Sequence, residues 1–173
     1  MFNKRYVIND SLSIKKIDIN QINGLYDYFL KVKNYHYIGL DENNFNLVSL
    51  ESYIQNQVLL WSKKQRYCFV IYQNNVIVGF ITINIDKNKG KLNYLLNSEN
   101  DSLFIDLIKF IIKISRSTDL NWIYLEIHKD NQKTSNILRE IGLYRLELVD
   151  LIEINILENQ SMLASYDYWA KKV

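Results

Sequence analysis

The sequence predicts a mixed α/β domain in which a central, mostly antiparallel sheet carries helices on both faces, in the order β-α-α-β-β-β-α-β-α-β-β. Three stretches carry that prediction. Arg66 to Ile85 reads as a hairpin: YCFVIY and VIVGFITINI are β-rich runs separated by Asn74-Asn75, residues that tolerate the positive φ of a tight turn. Trp122 to Leu143 reads as strand, polar corner, short amphipathic helix and glycine stop. Between them, a helix from about Ser102 to Arg116 is apolar almost all round, with only Asp106, Lys109, Lys113 and Arg116 as a polar edge, which suits burial against a sheet. An antiparallel meander followed by a strand–helix–strand crossover gives a mixed sheet with helices on both faces.

In chain order, Ser11 to Ile17 alternates and predicts a first strand. Asp18 caps a helix on which Ile22, Leu25, Tyr26 and Phe29 recur at helical spacing. Asn34 to Asn46 has no period and reads as a loop. Ser49 then caps a second helix, striped by Leu50, Ile54, Val58 and Trp61. After the hairpin, a turn over Asp86 to Gly90 leads to a short strand, Lys91 to Leu96.

In the Trp122 strand, Ile123, Leu125 and Ile127 share one face and Trp122, Tyr124, Glu126 and His128 the other. Asp130 or Asn131 caps the helix that follows, Ile137, Leu138 and Ile141 form its apolar stripe, and Gly142 stands where a left-handed terminator is wanted. A long alternating strand (Ile152, Ile154 and Ile156 against Glu153 and Asn155) is expected next. The final run, Tyr166 to Lys171, is expected to pair with it.

The 173 residues fit one domain spanning 1–173, with no repeat, linker or low-complexity stretch. A composition of 48% hydrophobic and 23% charged residues is that of a soluble globular protein, and a net charge of +2 gives no case for nucleic acid. The single cysteine, Cys68, excludes an internal disulfide and a cysteine-rich metal site, and its apolar strand context predicts core filler rather than a nucleophile. The opening MFNKRYVIND lacks the apolar core of a signal peptide. The most apolar window, Leu103 to Ile114, is too short to span a bilayer and is broken by charges, so no membrane association and a cytoplasmic location are expected.

The Trp122–Leu143 unit also carries a family resemblance. Asn131-x-x-Thr134-x-x-x-Leu138-x-x-x-Gly142-Leu143 resembles the Asn-x-x-Ser-x-x-x-Leu-x-x-x-Gly-Phe signature of the GNAT acyltransferases, and is most similar to the branch that acetylates ribosomal-protein N-termini. The predicted order of elements is that of the GNAT fold, so the resemblance covers essentially the whole chain. It implies acetyl-CoA as co-substrate, no metal, and an acetyl group passed to a primary amine.

In that family the fourth and fifth strands diverge and the donor's pantetheine lies between them, pairing with the fourth much as an extra strand would. The resemblance thus assigns donor binding to Leu92, Tyr94, Leu95 and Leu96, with Ser102 at the following helix and Asn131 of the signature. The sequence departs from the family at the loop that should cradle the pyrophosphate. Where a Gln/Arg-x-x-Gly-x-Gly/Ala run belongs, Asn97-Ser98-Glu99-Asn100-Asp101-Ser102 offers neither glycine nor arginine. Glycine would let backbone approach the phosphates, and Glu99 and Asp101 would repel them from the positive end of the helix dipole.

Acyl transfer to an amine needs a proton acceptor for the ammonium and an acid for the leaving thiolate. Glu126 is the first candidate base and His128 the second, both on the polar face of the Trp122 strand; partial burial there would raise a glutamate's pKa. By resemblance Thr134 holds the hydroxyl that serves as acid, and first-turn backbone bonding is the alternative for it. His36 and Tyr37, in the tyrosine-rich loop, are candidates to line the acceptor pocket.

The acceptor can be a small molecule or a protein N-terminal amine, and a homodimer is compatible with the sequence. Two other readings stay open: a GNAT-fold binding or regulatory protein without donor binding, and an acyltransferase fed by a carrier-protein thioester.

Overall fold

The computed structural model describes residues 2–97, 100–156 and 164–173. The chain gathers into two compact units, Met1–Ile85 with Asn93–Asn100, and Asp86–Leu92 with Asp101–Val173, so that one strand is divided between them. All but one of the strand pairings described below are antiparallel.

The first unit holds β1 (Arg5–Val7), β2 (Leu12–Lys16), α1 (Ile22–Val32), α2 (Leu47–Ser62), β3 (Arg66–Gln73), β4 (Val76–Asp86) and the second half of β5 (Lys89–Leu96), with strand order β1-β2-β3-β4-β5. The β3–β4 hairpin closes at Gln73↔Val76, and Asn74 and Asn75 take φ of 50° and 64°, the left-handed turn that their side chains tolerate. Alternation along β3 turns Cys68 and Val70 toward a core that also contains Leu25 and Phe29 of α1, Leu50 and Ile54 of α2, and Phe80 of β4.

Asp18 caps a 3-10 turn, Ile19–Gln21, that runs into α1. For α2 the cap is Asn46, not Ser49. The Asn46 oxygen accepts from the Ser49 amide at 3.0 Å and Ser49 Oγ accepts from the Asn46 amide at 2.9 Å, a reciprocal box that starts the helix a turn earlier. The stretch read as loop contains a 3-10 turn, Tyr35–Ile38.

The second unit holds the first half of β5, α3 (Asp101–Ser115), β6 (Trp122–His128), α4 (Gln132–Glu140), β7 (Tyr144–Arg145), α5 (Leu148–Glu153) and β8 (Tyr166–Lys172), with strand order β5-β6-β8-β7. α3 is apolar as expected, with eight buried residues from Leu103 to Ser115. Of the two candidate caps for α4, Asn131 is the one used, accepting from the Thr134 amide at 3.1 Å. Gly142 ends that helical segment at φ 82°, and Leu143 donates back to Leu138 O at 2.9 Å, the wrap that a left-handed residue makes.

β6 and β8 pair along seven residues, from Trp122↔Lys172 to His128↔Tyr166. On one face of that pair Tyr124, Tyr168 and Ala170 pack with Leu151 of α5. On the other, Trp169 stands opposite Leu125, with Arg139 of α4 over its ring at 5.8 Å. Helices therefore lie on both faces here.

The expected strand over Ile152–Ile156 is not formed. Leu148–Glu153 is a helix, and a two-residue β7 stands before it. Asp150 accepts from the Glu147 amide at 2.9 Å, filling an orphan donor of the first turn, and Asn155 closes the segment at φ 51°. A short apolar run fits both a strand and a helix, and this local bond decides for the helix. β8 accordingly pairs with β6 and β7 rather than with that run.

Candidate active site

β5 and β6 run parallel, and their ladder has three rungs: Lys89↔Trp122, Gly90↔Ile123 and Lys91↔Tyr124. β6 continues to His128 with β8 still on its other side. One step past the last rung, Lys91 Nζ meets Glu126 Oε1 at 2.7 Å, with side chains only 18% and 15% exposed. The two share a face because parallel partners point the same way and Glu126 lies two residues beyond Tyr124. Glu126 is thus half-buried on the polar face, as its alternation predicts, but its carboxylate is bound to an ammonium. The contact engages one of its two oxygens, Oε1.

His128 is exposed at the end of β6, its ring edge-on to Tyr166 with centroids 5.4 Å apart. Its Nδ1 lies 3.4 Å from the Asp130 amide and 3.4 Å from Asp130 Oδ2. At that length both contacts are weak. The Thr134 amide is taken by the Asn131 cap, while its half-buried hydroxyl has no hydrogen bond among the described residues. The backbone bonding that would occupy that hydroxyl is thus not made. Asn131 itself is exposed, with its side-chain oxygen engaged in the cap.

Of the residues assigned to the donor, Leu92 is buried in the second unit and Ser102 is exposed in the first turn of α3. Asp101 opens that turn, and Lys133 Nζ from the first turn of α4 balances it at 2.8 Å. That contact removes half of the electrostatic objection to a phosphate at this helix. Ser98 and Glu99, the rest of the altered loop's middle, lie outside the described residues.

In the first unit Tyr94, Leu95 and Leu96 are half-buried, and the Tyr28 hydroxyl donates to Leu95 O at 3.5 Å. Gly79 of β4 lies so close that a Cβ there would stand 2.3 Å from Leu95 O and 2.7 Å from Leu96 Cδ2. Tyr37, expected at the acceptor pocket, donates its hydroxyl to Asn93 O at 3.0 Å, and burial above all pushes its pKa up, so it is a tie to β5 as well as a candidate lining. His36 is exposed beside it. A cavity of about 460 Å³ elsewhere in this unit, bordered by Asn20, Asp27, Lys31 and Tyr72, contains none of the expected site residues.

The expected residues thus fall into two sets: His36, Tyr37 and Tyr94–Leu96 in the first unit, and Leu92, Ser102, Glu126, His128, Asn131 and Thr134 in the second. Sequence reasoning missed Lys91 and Lys133. Nothing in their spacing marks them, because strand register pairs Lys91 with Glu126, and the meeting of two helix termini pairs Lys133 with Asp101. Among the described residues, no group of three or more His, Cys, Asp and Glu is placed to hold a metal ion, and no helix is long and apolar enough to cross a membrane.

The architecture is that of the GNAT acyltransferases. The chain superposes on a ribosomal L7/L12 alpha-N-protein acetyltransferase in complex with coenzyme A with a TM-score of 0.77 at 14% identity, covering 98% of each chain. An acetyltransferase of Salmonella typhimurium that modifies the N-terminal serine of the 50S ribosomal subunit protein L7/L12 matches with a TM-score of 0.74 at 14% identity, over 98% of this chain and 99% of that one. The microcin C7 self-immunity acetyltransferase in complex with acetyl-CoA and AMP matches with a TM-score of 0.71 at 15% identity, over 96% and 94%. No family model matches the sequence, and no curated protein matches it.

Proposed function

We propose that the protein is an N-acyltransferase that moves an acetyl group from acetyl-CoA to a primary amine. The observation that carries this reading is the whole-length likeness to an acetyltransferase whose structure holds coenzyme A. Acetyl-CoA supplies the activated acyl group. Glu126, with His128 as the second candidate, takes a proton from the acceptor's ammonium so that the nitrogen lone pair can attack the thioester carbonyl. As the C–S bond breaks, the Thr134 hydroxyl hands a proton to the leaving thiolate and regains one from the attacking nitrogen, which becomes the neutral amide.

Leu92, Tyr94, Leu95 and Leu96 are the stretch of β5 offered to the pantetheine, with Asn131 and Ser102 at the two helix starts. Asp101 does not bar a diphosphate there, because Lys133 already balances its charge. His36 and Tyr37 border the acceptor side in this reading. An acceptor at a protein N-terminus is favoured, because two of the similar structures are enzymes of ribosomal protein L7/L12. The protein acts in the cytoplasm, where such an acceptor and acetyl-CoA both occur.

Calorimetric titration with acetyl-CoA tests the reading. Binding in the micromolar range is expected, and no heat at millimolar donor would overturn it. The absence of glycine and arginine from Asn97–Ser102 supports a second reading, a donor-free binding protein of the same fold, which that null result would favour.

A further inference from the structure

We propose that Lys91 is a positioning residue that occupies, in the resting protein, the seat on Glu126 into which a primary ammonium acceptor exchanges. The proposal rests on the reading of Glu126 as proton acceptor and adds the device that governs access to it. Two lysines stand two residues apart on β5 and differ in how they are held. Lys89 is buried and fastened twice, to Asp86 Oδ2 at 2.9 Å and to Asn155 O at 2.6 Å. Such an ammonium is part of the scaffold. Lys91 has one partner among the described residues, Glu126 Oε1 at 2.7 Å, and lies at the last rung of the β5–β6 ladder.

Its release therefore breaks one contact and no backbone bond. The cost of release is small only if another cation replaces it, because a carboxylate 15% exposed is left poorly solvated when unpaired. What fits is set by what already sits there: an alkyl-NH₃⁺, able to bring N–H donors to 2.7 Å. An acceptor for acyl transfer arrives in that chemical form. A quaternary ammonium has the charge and lacks the donors, so it is excluded.

Exchange is read without any acyl donor, so its failure is distinct from a failure to bind acetyl-CoA. The probe is n-propylammonium chloride, with tetramethylammonium chloride as the control for charge and ionic strength. NMR follows the Glu126 carboxyl carbon and the Lys91 Nζ resonance. In the unaltered protein propylammonium should displace the Lys91 resonance from its paired position, and tetramethylammonium should not. Lys91→Met, which removes the resident competitor, should bind propylammonium about fivefold more tightly. Lys91→Arg should behave as the parent, and Glu126→Gln should bind neither cation.

A Lys91 resonance that stays put at saturating propylammonium would overturn the proposal. So would equal effects of the two salts, or a folded Lys91→Met protein with unchanged affinity. Because the first readout uses the parent protein, the test survives a variant that fails to fold.

Discussion

At Cys68, burial turns a reactive side chain into packing material. The thiol is fully covered between β3 and the helices, and burial pushes its pKa from 9.0 up to about 12. The folded protein should resist a thiol reagent at neutral pH and yield one reactive thiol in guanidinium chloride; rapid native labelling would contradict this. Gly79 is the opposite case, a residue needed for what it lacks. A Cβ at 2.3 Å from a backbone oxygen cannot be relieved by turning a side chain. Gly79→Ala should cost about 2 kcal/mol or more in chemical denaturation, and a loss well under that would mean β4 can shift. Several residue-scale features are plain in the sequence, because Asn74, Asn75, Asn131 and Gly142 act through their own backbone or their immediate neighbours. The partner of Glu126 is invisible there, since nothing local points from β6 to Lys91.

Among the elements, the two misread segments share a cause. Ser49 and Asn46 both belong to the box at the start of α2, and the sequence alone does not say which residue of a reciprocal pair stands outside the helix. Asn46→Ala should lower stability by about 1 kcal/mol, measurable by urea unfolding. In α5 the alternation of Ile152, Ile154 and Ile156 was overridden by the bond from the Glu147 amide to Asp150. Where α3 and α4 begin, Lys133 balances Asp101 with side chains 58% and 48% exposed. A pair that open contributes little to folding. Lys133→Glu should therefore leave the melting temperature nearly unchanged yet weaken acetyl-CoA binding about three- to tenfold. Equal affinity in the variant would remove this corner from the donor site.

For the molecule as a whole, burial of neutral acids sets the behaviour in base. Cys68 is raised from 9.0 to about 12, and burial likewise pushes Tyr28, Tyr37, Tyr53 and Tyr72 upward. Each group stays protonated in the fold at a pH where the unfolded chain has already released its proton. For Cys68 the resulting stability is complete below pH 9.0 and is lost as pH rises to about 12. For the buried tyrosines the loss begins above pH 10.0 and continues beyond that window. Urea midpoints should fall steadily over that window, and Cys68→Ala should remove the thiol's share of the slope. A midpoint flat from pH 9.0 upward would contradict the burial argument.

The sequence by itself determined the class of fold, the alternating face that offers Glu126, the cap at Asn131 and the stop at Gly142. Each of these follows from periodicity or from bonds within a few residues, which a chain carries wherever it packs. Tertiary structure alone decided that the β5–β6 ladder has three rungs, that Lys91 closes on Glu126 past the last of them, and that Lys133 answers Asp101. Register and the meeting of distant helix ends are set by the packing of all elements together. Charges far apart in the chain acquire partners only when that packing is complete.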